Sequence, residues 1–148
     1  MKTFLFAALF SLAALAQSPL TTAKSVFLLP MPGGLDQYLA SRLTQDSTLT
    51  VVTKADSADL IFTDQLSGNL EKSLAEEAQT KQDDSKGFSR PASRPFSRGK
   101  GTYFLVDRKT GNVVWSTIEQ PKSSQPDDLK RAATHIIDRL NKSRTTTK

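Results

Sequence analysis

One histidine, His135, and no cysteine at all narrow the reactive chemistry open to this chain of 148 residues. Without thiols it has no disulfides, no thiolate metal sites and no cysteine nucleophile. A single imidazole falls short of the three or four ligands that a zinc centre gathers. A Ser-His-Asp relay has its residue types, but nothing matches the G-x-S-x-G elbow that presents the serine. By helical spacing His135 neighbours Arg131, Asp138 and Arg139, which puts it on a charged, solvated face. Gly33-Gly34 precedes a helical pattern, where backbone N–H groups suit an anion, yet no P-loop lysine and no G-x-G-x-x-G follows. A sharp strand-to-helix turn accounts for both glycines. No cofactor is expected.

Carboxylates offer a second chemistry. Asp59, Asp64 and Asp107 fall at the ends of strand-like runs. Two acids held about 5–10 Å apart can run glycoside hydrolysis, and a secreted carboxylate-dependent hydrolase built on Asp64 and Asp107 is the alternative function. The plainer role of such aspartates is to cap helices and begin turns, as the loop opened by Asp107 suggests.

Binding is the third option, and one segment has the composition for it. Residues 86 to 100 carry Lys86, Arg90, Arg94, Arg98 and Lys100 without an acid, as much positive charge as the net +5 of the whole chain. Phe88 and Phe96 lie between the cations, and a Ser-Arg step recurs every four residues. Pro91 and Pro95 disfavour helix, and few apolar side chains offset the entropy of ordering. The segment reads as a mobile, partly polyproline-like arm within an insertion over 68 to 100. Lys86, Phe88, Arg90, Arg94, Phe96, Arg98 and Lys100 are the candidate contacts to an anionic partner surface. A solvated loop without function is the competing reading.

The address of the chain favours some partners over others. Lys2 precedes an apolar run from Phe4 to Leu15 that closes on Ala14-Leu15-Ala16, the small-residue pattern of a signal-peptidase site. The run is shorter than the roughly 20 residues that span a bilayer. Residues 1 to 16 therefore read as a signal peptide, cleaved near Ala16, with the protein exported to the periplasm or beyond and no transmembrane segment in the mature chain. Nucleic acid is then not expected as a partner; an envelope protein or an anionic envelope surface is.

What remains must position these residues with an apolar core alone. Residues 17 to 24 are expected to be a flexible lead-in, 25 to 142 a single α/β domain and 143 to 148 a flexible tail. Apolar or β-branched runs over 25–29, 49–53, 59–63, 102–106 and 112–118 predict five strands. The last two flank Asp107-Arg108-Lys109-Thr110-Gly111, which suits a hairpin with a glycine bulge. Trp115 shares a face with Val113 and Thr117 under strict alternation, and reads as core. Leu35, Tyr38, Leu39 and Leu43 mark one helix over 34–46, whose first turn holds Asp36. Leu129, Ala132, Ala133, Ile136, Ile137 and Leu140 mark a second over 127–141. Leu70, Leu74 and Ala78 form a stripe too thin to bury much. The fold class is α/β (α+β): a mixed sheet of about five strands with two main helices packed on it and a disordered basic insertion.

That element order, with Val26-Phe27-Leu28-Leu29-Pro30-Met31 leading into a helix, Ala58-Asp59-Leu60-Ile61 entering a strand and Thr110-Gly111-Asn112-Val113-Val114-Trp115-Ser116 in the hairpin, resembles the amino-terminal domain of the TolB translocation protein. It is also similar to the periplasmic domains of curli-secretion (CsgG-type) and penicillin-binding-protein activator lipoproteins. The resemblance spans residues 25–67 and 101–141. It implies a small envelope module that binds other proteins and catalyses nothing. The chain lacks the anchoring cysteine of the lipoproteins and the propeller of the translocation protein.

Overall fold

A computed structural model of the chain describes residues 19–66, 74–75 and 101–146. The elements run α1 (Pro19–Thr22), β1 (Ser25–Leu28), α2 (Leu35–Asp46), β2 (Thr50–Val51), β3 (Leu60–Thr63), β4 (Thr102–Asp107), β5 (Val113–Ile118) and α3 (Pro126–Thr146). Short 3-10 turns at Pro32–Gly34 and Ala55–Ser57 join them. The five strands form one mixed sheet in the order β2-β1-β3-β4-β5. β1 pairs in parallel with both β2 and β3, whereas β3–β4 and β4–β5 are antiparallel. The α+β class and mixed sheet expected from the sequence are present.

Local chemistry explains the turns that set this order. Gly33 and Gly34 adopt φ of 72° and 77°, left-handed conformations that resist a side chain, and redirect β1 into α2. Asp36 in the first turn of α2 accepts the Met31 N–H at 3.1 Å, which fixes the entry. Leu35, Leu39 and Leu43 then bury one face of the helix. Ser47, left-handed at φ 52°, ends it by donating its N–H to the Leu43 carbonyl.

Helices α2 and α3 cover the same face of the sheet. Val26, Leu60, Phe62, Tyr103 and Leu105 meet Leu35, Leu39 and Leu43 from α2, and Leu129, Ala132, Ala133, Ile136, Ile137 and Leu140 from α3, in one core cluster. A polar seam runs between the two helices, with Arg42 Nη2 3.4 Å from Asp138 Oδ1 and Asn141 donating to Asp46 at 3.1 Å. The reverse face carries a smaller cluster of Phe27, Leu29, Ala58, Ile61 and Val106. Leu74, expected in a stripe too thin to bury much, packs half-buried against that cluster.

Three expectations need correction. Residues 19–24 are not a flexible lead-in: α1 buries Leu20, and Ala23 follows it into the main core. Residues 143–146 are not a loose tail, because α3 continues to Thr146 and Arg144 donates to the Leu20 and Ala23 carbonyls at 2.8 and 3.0 Å. α1 and the end of α3 thus hold each other, and the folded unit extends on both sides of 25–142. Finally, strict alternation fails in β5. Leu105 pairs with Trp115 but Val106 pairs with Val113, so Val114 is an extra, bulged residue. Trp115 and Thr117 face the helices opposite Leu105 and Tyr103, while Val113 is switched to the reverse face.

Candidate functional site

Two of the three aspartates singled out as candidate acids, Asp59 and Asp107, are spent on structure. Asp59 Oδ2 accepts from the Lys24 N–H at 2.9 Å, the Ser25 N–H at 3.1 Å and the Ser25 hydroxyl at 3.0 Å. These bonds, the Lys24 amide foremost, hold its carboxyl below the usual aspartate range. Asp107 Oδ1 accepts from the Lys109 and Thr110 N–H groups at 3.0 and 2.8 Å and from the Thr110 hydroxyl at 3.0 Å. Its carboxyl is also lowered, chiefly by the Thr110 amide. Gly111 completes this turn at φ 70°, donating to the Asp107 carbonyl at 2.8 Å. Asp107 pairs with Leu60 at the start of β3, whereas Asp64 follows its last residue, Thr63. Four residues at about 3.3 Å each put their backbones about 13 Å apart along the strand, with the Asp107 carboxylate facing its own loop. The pair on which the hydrolase alternative stands does not converge.

His135 is exposed, as expected, but has a partner that helical spacing does not reveal. Its Nδ1 is 3.1 Å from Glu119 Oε1, and Arg139 Nη2 lies 2.9 Å from Glu119 Oε2. Arg139 also donates to the Ile118 carbonyl at 2.7 Å and to the Thr117 hydroxyl at 3.3 Å. The cluster ties the end of β5 to the middle of α3. Close by, the Tyr103 hydroxyl is pushed up to about 12 by burial, with the Asp64 and Glu119 charges adding to the effect. Among the described residues no group of three or more histidine, cysteine, aspartate or glutamate side chains could hold a metal ion. At Gly33-Gly34 the Asp36 carboxylate occupies the start of α2, so an incoming anion would meet a negative charge.

Trp115 is core edge. Its ring lies 6.4 Å from that of Phe62 at an interplanar angle of 59°, and its Nε1–H donates to Ser143 Oγ at 3.1 Å. The basic arm of Lys86, Phe88, Arg90, Arg94, Phe96, Arg98 and Lys100 lies outside the described residues.

The outer margin of β5 remains, a surface the sequence reading did not single out. β5 ends the strand order, so among the described residues one of its sides has no neighbouring strand. The Glu119 N–H donates to the Gly101 carbonyl at 2.7 Å, which fixes the alternation of the ladder. Pairs 103–117 and 105–115 therefore exchange hydrogen bonds, while Ser116 and Ile118, opposite Phe104 and Thr102, turn their N–H and C=O groups outward. Those same residues project side chains onto the reverse face together with Val113. Val113 and Ile118 are 45% and 68% exposed, two of the large apolar residues left in solvent. β5 carries no charge and no proline, the devices that usually keep an edge from pairing. Its guards are the Val114 bulge at one end and the Arg139 guanidinium on the Ile118 carbonyl at the other. Bulge formation depends on pairing across the hairpin and leaves no signal in the β5 residues themselves. Glu119 was findable in principle, as an acid just past a strand, with a histidine and an arginine at i and i+4 on the following helix to meet it.

No described helix is long and apolar enough to cross a membrane. No protein-family model matches the chain, and no curated protein or solved structure matches it significantly.

Proposed function

We propose that this chain is a non-catalytic, exported adaptor module of the cell envelope that engages another protein through the outer margin of β5. The observation that carries the reading is a strand edge with no neighbouring strand among the described residues, free of charge and proline and flanked by solvent-exposed Val113 and Ile118. Strand addition to such an edge supplies main-chain hydrogen bonds, while alternate side chains of the added strand supply selectivity. The apolar run after Lys2, closing on Ala14-Leu15-Ala16, supports export, and the element order supports kinship with envelope modules. Of the pair a hydrolase would use, Asp107 is committed to the hairpin turn, and Asp64 lies about four residues along the strand from it. The cationic arm from Lys86 to Lys100 would add contacts to an anionic surface of the partner or the envelope.

A photoreactive residue at position 118, compared in intact cells with one at exposed Gln45 on α2, tests the reading. A discrete protein adduct from position 118 and none from Gln45 is expected. Equal labelling at the two positions, or none at either, overturns it. Deleting residues 86–100 in the same assay separates the arm from the edge: an unchanged adduct set removes the arm from the interaction.

A further inference from the structure

The margin of β5 is chemically two-sided, and that asymmetry specifies what it fits. On the reverse face stand Val113, Ser116 and Ile118. On the helix side the edge adjoins a basic stripe of α3: Arg131, His135, Arg139 and Lys142 recur at i, i+4, i+8 and i+11 and are all exposed. Contacts from α3 to β5 and its exit place that stripe beside the edge, since Arg139 reaches the Thr117 hydroxyl and the Ile118 carbonyl and His135 reaches Glu119. Of the nearby acids, Glu119 is engaged by His135 and Arg139 and Asp128 by the Ser123 hydroxyl at 2.6 Å, while exposed Asp127 stands one turn ahead of Arg131 at the start of the helix.

We infer that the edge accepts an extended segment of a partner protein in which apolar and acidic residues alternate. In an added strand, successive side chains point to opposite faces. The apolar set would extend the reverse face over Val113 and Ile118, and the acidic set would lie along Arg131, Arg139 and Lys142. Backbone pairing would run through the outward groups of Ser116 and the Ile118 N–H. A second copy of this chain fits poorly. Joining two β5 edges about a twofold axis would bring two basic stripes together across one boundary, an arrangement that like charge penalises. The inference rests on the adaptor reading and names the chemistry of its partner.

The test titrates the purified chain with a labelled eight-residue peptide alternating valine and glutamate, against a valine–lysine control, by fluorescence anisotropy. The valine–glutamate peptide is expected to bind, and the control to bind at least about tenfold more weakly, a ratio equivalent to about 1.4 kcal/mol. Reversing the stripe with Arg131→Glu and Lys142→Glu should invert that preference, and Ser116→Pro, which removes an outward N–H, should weaken both peptides. Circular dichroism of each variant confirms the fold, and Ile118→Glu serves as a second edge variant if Ser116→Pro fails to fold. Equal affinity for the two peptides, no binding of either, or a concentration-dependent dimer lost in Ser116→Pro overturns the inference. A protein adduct at position 118 in cells, with no binding of the valine–glutamate peptide, would leave the adaptor standing and remove only the acidic strand.

Discussion

On the side facing α2 and α3, the sheet presents Val26, Leu60, Phe62 and Leu105, all enclosed by helix side chains. On the reverse side Phe27, Ile61 and Val106 are enclosed as well, but the apolar row continues onto β5 as Val113 and Ile118, which stand in solvent. Similar residue types thus do two things in one sheet. Apolar area removed from water on the helix side stabilises the fold, while the area along β5, uncovered among the described residues, is the surface the proposal gives to another chain. The helix side closes because both long helices pack there and their seam is pinned by Arg42, Asp46, Asp138 and Asn141. β5 stays open because nothing among the described residues pairs with its outer edge.

Substitutions should separate the two surfaces by size of effect. Phe62→Ala, deep on the helix side and against Trp115, should cost about 4 kcal/mol in urea unfolding. A cost below about 1 kcal/mol would mean that this side is not the main core. Asp59→Ala should cost about 2 kcal/mol near neutral pH, because it leaves the Lys24 and Ser25 donors without their shared carboxylate. That loss depends on pH. The folded-state carboxyls of Asp59 and Asp107 are lowered, so their contribution is complete above the ordinary aspartate value near 4 and vanishes as pH falls through the lowered folded values. The gap between the native chain and Asp59→Ala should hold steady from pH 8 to 6 and narrow below pH 4. A gap that widens in acid contradicts the assignment.

Arg144→Ala should cost about 1–2 kcal/mol by freeing the Leu20 and Ala23 carbonyls, with amide exchange near α1 accelerated ahead of the rest of the chain. The smallest effect belongs to the open margin. Ile118→Ser should change stability by less than about 0.5 kcal/mol, since its side chain is already in water. A loss near 2 kcal/mol would show that the margin is covered in the free protein.

What the sequence disclosed follows from how local each signal is. The stripes of α2 and α3 recur at helical period and were legible, as were the buried strands β1 and β3 and the Asp107–Gly111 turn. α1 was not: Pro19-Leu20-Thr21-Thr22 is too short for periodicity, and its order comes from Arg144, more than 100 positions away. The face of Val113 was misassigned because one bulged residue, Val114, breaks the alternation, and pairing across a hairpin decides where a bulge falls. The same holds at the site. Asp59 and Asp107 drew attention by their chemistry, yet their bonds to Ser25 and Thr110 tie them into a strand junction and a turn. The open edge is a property of strand order, which no stretch of sequence states by itself.

Amide exchange at Ser116 and Thr117, read by NMR with and without the valine–glutamate peptide, tests the central claim most directly. Thr117 faces Tyr103 in the ladder and should be protected throughout, whereas Ser116 should exchange freely in the isolated chain and slow when the peptide is added. A Ser116 amide already protected in the isolated chain, or one that the peptide leaves unchanged, would contradict the account.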